Sequence, residues 1–313
     1  MTFYFLTQVS KKVGLGHFRR TKALYTNFIL KNKKLIIDHD VNDHYYKTIF
    51  NNHIIYKQNF FSNINDSDYV FIDVYDFKKY SPHILNFNKI ILLLDNDFDL
   101  KNNPFFAIII PTNYKVNLSN INDKSRIFMG EKLILLNKKL YDFKYTRNIQ
   151  NLNKGAISIG GSDSFLDILI KLKKLCDDFS FKITVISNNE DHGDVFFKDT
   201  SKYYENITSY DFIICSSGQT LYECLYLGLV TLPIALTENQ NKNLNDLKKR
   251  DIIKYNLNKN FTHNRQVFSD FLNYYKCSDN LKTYIEKTEN FIDLNGINRV
   301  NKIIYNLISD KKN

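Results

Sequence analysis

Short, predominantly apolar runs recur along the first half of this chain and constrain its fold more than any other feature. The runs lie at 3–6, 34–38, 54–56, 69–73, 90–94 and 107–110. Unbroken apolar runs are typical of parallel strands buried on both faces, whereas half-exposed strands alternate apolar and polar residues. Stretches with helical spacing separate them, at 18–30, 43–50 and 78–86. This β-α-β alternation predicts a parallel sheet covered by helices.

The same alternation restarts after a polar stretch at residues 144–154. We predict strands at 156–159, 181–186, 212–215 and 230–235, and helices at 165–176, 220–227, 241–250, 264–275, 281–291 and 298–308. A chain of 313 residues corresponds to about two domains. We therefore predict an α/β protein with one domain at 1–150 and a second at 151–313.

Composition excludes several classes of function. The chain has 43 Lys+Arg and 33 Asp+Glu, a net charge of +10 that favours anionic partners in general. The charge is not clustered, so nucleic acid is not a predicted partner. Four cysteines without metal-ligand spacing indicate free thiols of a reducing compartment, and we expect a cytoplasmic location. No run of apolar residues is long enough for a membrane span.

Glycine is scarce, and its placement suggests where a ligand binds. Five of the ten glycines lie at turns that follow a predicted strand and open a helix: Gly14, Gly16, Gly160, Gly161 and Gly218. Such turns let the backbone approach a ligand, and the first N–H groups of the helix point at it. In open α/β sheets, ligands bind at this edge. The alternative is that these glycines only permit tight turns.

The first turn, Val13-Gly14-Leu15-Gly16-His17-Phe18-Arg19-Arg20, places an imidazole at the start of a helix. It is not a dinucleotide-binding fingerprint, because Arg19 stands where the third glycine would be. The helix dipole disfavours an imidazolium, so His17 is expected to be neutral and able to accept a proton from water or a hydroxyl. Alternatively, His17 only caps the helix.

The third glycine turn, which contains Gly218, carries small and hydroxylated residues suited to a diphosphate. Ser217, Gly218 and Thr220 follow a buried strand, and Glu223 lies one helical turn beyond Thr220. A carboxylate there could accept both ribose hydroxyls of a nucleotide, although a surface Glu that only stabilises the helix is the alternative. After the next strand, Thr237, Asn239 and Gln240 offer uncharged groups suited to a sugar.

Two acidic clusters could be mistaken for metal sites. Asp95 and Asp97 have the D-x-D spacing of metal-dependent glycosyltransferases, and Asp38-His39-Asp40 lies near His44. Helix N-termini and basic groups can neutralise a diphosphate without a cation. We expect neither a metal nor a redox cofactor.

These motifs together resemble the PseG/SpsG family, whose members are related to the MurG glycosyltransferases. The resemblance rests on the His17 turn, on GGSD at 160–163, on SSGQTLYECLYLGLVTLPIALTENQ from Ser216, and on two weaker stretches, DYVFIDVYDF at 68–77 and GEKLILLNKKL at 130–140. It implies a GT-B fold, with two Rossmann-like domains facing across a cleft and a terminal helix packing back on the first. It further implies hydrolysis of UDP-2,4-diacetamido-2,4,6-trideoxy-β-L-altrose in pseudaminic acid biosynthesis.

The resemblance also implies roles for single residues. His17 would activate water, and Tyr75 matches an aromatic residue of the family's site. The substrate-binding residues implied are Gly14, Gly16, Arg20, Gly161, Ser217, Gly218, Thr220, Glu223, Asn239 and Gln240. The chain departs from the family at Leu6 and Gln8, where Arg and Asp are common, and in the third turn, where Gly-Gly-Ser-Thr is usual.

Two other functions stay open from the sequence. In a GT-B glycosyltransferase of surface polysaccharide synthesis, His17 would deprotonate an acceptor hydroxyl instead of water. A non-catalytic module that binds a nucleotide sugar would not need His17 for its activity.

Overall fold

The computed structural model describes residues 1–10, 13–39, 54–57, 59–84, 87, 89–95, 105–112, 126–144, 152–159, 165–187, 193–196 and 200–309. The chain divides into two compact units, Met1–Leu135 with Asn295–Asn313, and Leu136–Leu294. The first unit thus ends before the predicted boundary near residue 150. The chain leaves this unit through Leu133–Leu136, which is apolar and buried, so no change in composition marks the crossing.

The first unit contains a seven-stranded sheet in the order β3-β2-β1-β4-β5-β6-β7. Every neighbouring pair is parallel. The strands are β1 (Phe3–Gln8), β2 (Lys33–Asp38), β3 (Ile54–Ile55), β4 (Tyr69–Asp73), β5 (Ile90–Leu93), β6 (Phe105–Ile110) and β7 (Ile127–Met129). Because all strands run the same way, their carboxyl ends meet at one edge, and the first glycine turn lies there.

Helices α1 (Gly16–Thr26) and α9 (Gly296–Ser309) cover one face of this sheet. Phe3 and Phe5 of β1 belong to the same buried apolar cluster as Leu24 of α1 and Val300 of α9. The start of α9 packs closely, since a Cβ at Gly296 would lie 1.9 Å from the carbonyl oxygen of Ile134. The final helix therefore belongs to the first unit, although the 159 residues of the second unit separate it from the rest of the first unit in the chain.

The second unit contains a five-stranded sheet in the order β10-β9-β8-β11-β12, again with parallel pairs. Its strands are β8 (Gly155–Ser158), β9 (Ile183–Ser187), β10 (Val195–Phe196), β11 (Phe212–Ser216) and β12 (Val230–Ile234). Its helices are α3 (Leu166–Asp177), α4 (Thr200–Ile207), α5 (Gln219–Tyr226), α6 (Glu238–Lys249), α7 (Asn264–Tyr275) and α8 (Ser278–Phe291).

Several elements differ from the sequence-based prediction. The predicted helix at 78–86 is a 3-10 turn, Phe77–Lys79, followed by the short α2 (Ser81–Ile84). Pro82 explains the break, because proline has no N–H to donate to the carbonyl of residue 78 and is tolerated only in the first turn of a helix, where α2 has it. Strands β7 and β10 and helix α4 are short and were not predicted, and the helix predicted at 43–50 lies outside the described residues. Over the described part of the chain, no helix is long and apolar enough to cross a membrane.

Candidate functional site

The first glycine turn delivers His17 to the carboxyl edge of the first sheet. Gly14 has a φ of 75°, in the left-handed region that favours glycine, and its N–H donates to the carbonyl oxygen of Ser10. Helix α1 starts two residues later, so His17 lies in its first turn and is 8% exposed. A Cβ at Gly16 would meet nothing within 4 Å, which leaves open space beside this turn.

Asp73, the last residue of β4, is fully buried, and its carboxylate contacts three side chains of α1. His17 Nδ1 lies 2.7 Å from its Oδ1, and the Thr21 hydroxyl donates to its Oδ2 at 2.7 Å. Arg20 Nε donates to Oδ2 at 2.8 Å and Nη2 to Oδ1 at 2.5 Å. Residues three and four apart share one helix face, which is why one carboxylate can bind all three.

The contact with Asp73 determines which nitrogen of the His17 ring carries a hydrogen. Burial alone would raise the pKa of Asp73, but the positive charge of Arg20 and the contact with His17 outweigh it and hold that pKa well below its usual range. An ionised carboxylate can only accept, so Nδ1 of His17 must carry a hydrogen, and Nε2 is then the acceptor of a neutral ring. Arg20 Nη2 also lies 2.9 Å from Nδ1, but two donors cannot hydrogen-bond each other.

Arg20 ties the ends of two strands to α1. Its Nη1 lies 2.6 Å from Oδ2 of Asp95, just beyond β5, while its other two nitrogens bind Asp73. Burial lowers the pKa of Arg20, but the two carboxylates more than offset this and hold it above the usual range. The sequence predicted a substrate-binding role; the structure brings Arg20 to His17 but places all three guanidinium nitrogens on protein carboxylates.

Among the described residues, no group of three or more His, Cys, Asp or Glu is placed to hold an ion, but Asp40 and His44 of one acidic cluster lie outside those residues. Asp95 is engaged by Arg20, and Asp97 lies outside the described residues. Asp38 Oδ2 accepts from Lys79 Nζ at 2.5 Å and from the Tyr80 hydroxyl. Burial and the Asp38 charge raise the pKa of Tyr80 well above its usual value.

Tyr75 meets His17 from the loop that follows β4. The two rings are edge-on, with centroids 6.3 Å apart and an interplanar angle of 78°. The backbone N–H groups of Tyr75 and Asp76 donate to Oε1 of Gln8 at 3.2 and 3.1 Å. The structure thus brings together the two residues predicted to be catalytic, and adds Gln8 to them.

In the second unit, the turn after β11 leads into helix α5 through a glycine. Gly218 is the residue before α5 and has no side chain that could cap the helix. Its φ of −102° is open to any residue, and a Cβ there would lie at ordinary contact distance, 3.4 Å from Gln240 Nε2. Ser217 is buried, and its hydroxyl lies 3.3 Å from the carbonyl oxygens of Ile234 and Gln240, so it holds the loop.

The residues after β12 complete this second edge. Gln240 Oε1 accepts from the Leu236 N–H at 3.0 Å, and Asn239 Oδ1 accepts from the Thr237 hydroxyl at 2.5 Å. Asn243 Nδ2 donates to the Ser217 carbonyl oxygen at 3.1 Å, which ties α6 to the turn. Thr220, in the first turn of α5, is 9% exposed. The structure therefore gathers the predicted residues of this turn; Gly161 lies outside the described residues.

Glu223 lies beneath this turn. It is 2% exposed, and its Oε1 accepts from the hydroxyl of Tyr204, in α4, at 3.0 Å. The sequence suggested either a ribose-binding carboxylate or a surface Glu. The structure excludes an exposed position, and contact with a ribose stays a prediction.

Sequence reasoning missed several partners of the predicted residues. Asp73 had a signal, since it ends an apolar strand two residues before Tyr75. Thr21, Gln8, Asp95 and Tyr204 had none, because each meets its partner through the packing of separate elements.

No family model matches the chain. An uncharacterised protein of Methanocaldococcus jannaschii, MJ1062, is 26% identical over 295 residues, 82% of this chain. The chain spans about 60% of the length of that relative.

Among solved structures, MurG of Acinetobacter baumannii aligns with a TM-score of 0.64 and 13% identity, over 98% of this chain and all of that one. The glycotransferase of kitacinnamycin aligns with a TM-score of 0.61 and 10% identity, over 98% and 99% of the two chains. A complex of MnaA from S. aureus with UDP aligns with a TM-score of 0.56 and 12% identity, over 99% of this chain and 98% of that one.

At these identities the likenesses establish the fold. They agree with the two parallel sheets and confirm the predicted fold class, while the narrower resemblance to the PseG/SpsG family stays a prediction. The chain has the GT-B fold, built from two Rossmann-like domains.

Proposed function

We propose that this protein hydrolyses a UDP-linked deoxy-acetamido sugar and releases UDP with inversion at the anomeric carbon. The substrate implied by the PseG/SpsG resemblance is UDP-2,4-diacetamido-2,4,6-trideoxy-β-L-altrose, on the route to pseudaminic acid. The observation that supports a reaction most is the contact of His17 Nδ1 with the buried Asp73, because it leaves Nε2 of the ring as a proton acceptor.

In the proposed reaction, Nε2 of His17 takes a proton from water as the water oxygen attacks the anomeric carbon. The bond between that carbon and the diphosphate oxygen breaks, and its electron pair leaves with UDP. The sugar passes through an oxocarbenium-like state, as in other inverting glycoside cleavages. Asp73 stabilises the imidazolium that forms and keeps the ring in one orientation.

The turn at Gly218, which leads into the N-terminus of α5, supports the placing of the diphosphate in the second unit. The first N–H groups of a helix lack intrahelical partners and favour an anion. The side chains of the surrounding turn, from Ser217, Asn239 and Gln240, are uncharged hydrogen-bonding groups. In such a site the N–H groups would stabilise the charge on the departing UDP.

A glycosyltransferase is the second candidate, and the likeness to MurG and to the glycotransferase of kitacinnamycin favours it. The proton transfer would be the same, but Nε2 of His17 would take the proton of an acceptor hydroxyl.

Incubation of the protein with the UDP-sugar and no acceptor separates the two. We expect stoichiometric release of UDP and free sugar, which NMR would detect. Turnover that starts only when an acceptor is added would establish the transferase instead. Binding of the UDP-sugar without turnover in either case, unchanged in His17→Ala, would indicate a binding module; wild-type turnover in His17→Asn would remove His17 from the mechanism.

A further inference from the structure

We propose that Gln8 is a positioning residue that holds Tyr75 against His17. This inference rests on the proposed function, in which both rings face the reacting sugar. Gln8 stands where the PseG/SpsG pattern commonly has an acidic residue, so the position distinguishes this chain from that pattern.

The anchor is a single amide oxygen. Gln8 is the last residue of β1, and its Oε1 accepts from two consecutive backbone N–H groups, 3.2 Å from Tyr75 N and 3.1 Å from Asp76 N. Both donors belong to the loop after β4. One side chain of β1 therefore fixes the path of the loop that leaves the neighbouring strand.

The loop is held at its other end by the His17 network. Asp73 binds His17, Arg20 and Thr21 of α1, and Tyr75 follows two residues later. The ring of Tyr75 reaches His17 edge-on at 6.3 Å. With Asp73 fixed by α1 and Tyr75 fixed by Gln8, the loop has little freedom to move the aromatic ring away from His17.

A neutral oxygen suits this position better than a carboxylate. Gln8 is the register partner of Asp38 on β2, and Thr7, beside it, is the register partner of Asp73 on β4. An acidic residue would add a second negative charge beside Asp38, on the same face of the sheet. The amide supplies the same acceptor without that repulsion.

The test uses Gln8→Met, which keeps the length of the side chain but removes the acceptor, and Gln8→Glu, which keeps the acceptor. Turnover of the UDP-sugar should fall about tenfold in kcat for Gln8→Met, with KM little changed. Gln8→Glu should recover part of the loss, because it keeps the acceptor but adds a negative charge. Thr7→Val is the matched control, because the Thr7 hydroxyl is buried and has no hydrogen-bond partner. Its kcat should equal that of the wild type.

A double-mutant cycle with Tyr75→Ala separates positioning from general structure. If Gln8 acts through Tyr75, Gln8→Met should cost almost nothing further in the Tyr75→Ala background. An equal loss in both backgrounds, or wild-type kcat in Gln8→Met, would overturn the proposal.

Amide hydrogen exchange gives a readout that does not depend on the reaction. In Gln8→Met the Tyr75 and Asp76 amides should exchange about tenfold faster, with protection restored in Gln8→Glu. Unchanged exchange refutes the anchor whatever the activity. If exchange is faster in Gln8→Met but the wild-type protein turns over no UDP-sugar, the proposed function is refuted and the contact of Gln8 with the loop is retained.

Discussion

The two sheet edges have the same backbone plan and opposite chemistry. In each, a strand ends, a glycine turn follows and a helix begins. The first edge is dense in charge: Asp73 and Asp95 hold Arg20, and Asp73 binds His17. The second edge is lined by Ser217, Gly218 and amide side chains, with the carboxylate of Glu223 buried beneath it under Tyr204.

This difference matches two different tasks. A base needs a fixed tautomer and a nearby charge that stabilises its protonated form, and buried ion pairs supply both. A diphosphate needs N–H donors that can approach closely, and carboxylate side chains beside those donors would repel it. Under the proposed function, one fold would serve both tasks through different residues at the strand ends, while the strands stay alike.

His17→Asn, at the first edge, should cause the largest fall in kcat. Asn keeps polarity and approximate size but has no basic nitrogen, and loss of a general base typically costs about 10²–10⁴-fold in kcat. The affinity for UDP, measured by calorimetry, should hardly change, because the base is not part of the second edge. His83→Asn, on an exposed histidine of α2, is the control and should retain wild-type kcat.

Asp73→Asn should cost about 100-fold in kcat and also destabilise the first unit. The amide places a donor where either His17 or Arg20 needs an acceptor, and the buried guanidinium keeps only Asp95 as a charged partner. Steady-state kinetics and thermal unfolding check the two effects. Asp66→Asn, an exposed carboxylate just before β4, should change neither; equal effects from both variants would contradict a special role for Asp73.

Gly218→Val should weaken the binding of UDP at the second edge and leave the residues of the first edge in place. A Cβ at this position would lie 3.4 Å from Gln240 Nε2, and the branched side chain of Val would add atoms beside the helix N-terminus where we propose that the diphosphate binds. We expect UDP affinity to fall at least about tenfold, with a smaller loss for Gly218→Ala. Calorimetry that finds unchanged UDP affinity in the Val variant would place the nucleotide elsewhere.

Variants of Glu223 should have the smallest effect on UDP affinity among the changes at the second edge. If the carboxylate accepts ribose hydroxyls, Glu223→Ala should weaken UDP by up to about tenfold, and by more than Glu223→Gln does. The wild type should prefer UDP to 2′-deoxy-UDP, and the Ala variant should barely distinguish them. If Glu223 only pairs with Tyr204, the ratio of the two affinities should stay the same and thermal stability should fall.

Sequence reasoning worked where one local pattern decides the outcome. The run Tyr69–Asp73 was predicted as a strand and found with the same bounds, because every residue of it is buried. The turns around His17 and Gly218 were also found where small residues follow such strands.

It failed where distant elements meet. Asp73 binds His17 across 56 residues of sequence, so its role depends on the packing of α1 on β4. The family resemblance implies that Arg20 binds substrate, which stays a prediction, but its two carboxylate partners could not be found from the sequence. The domain boundary was misplaced because a polar stretch resembles a linker, whereas the chain crosses between units through buried leucines.

The most direct test of the account is a reaction of the UDP-sugar in ¹⁸O-labelled water without an acceptor. Attack of water at the anomeric carbon, with His17 as the base, predicts that the label appears in the anomeric hydroxyl of the released sugar, with inverted configuration, and that UDP carries none. Label in the phosphate of UDP, or no turnover until an acceptor hydroxyl is supplied, would contradict the account.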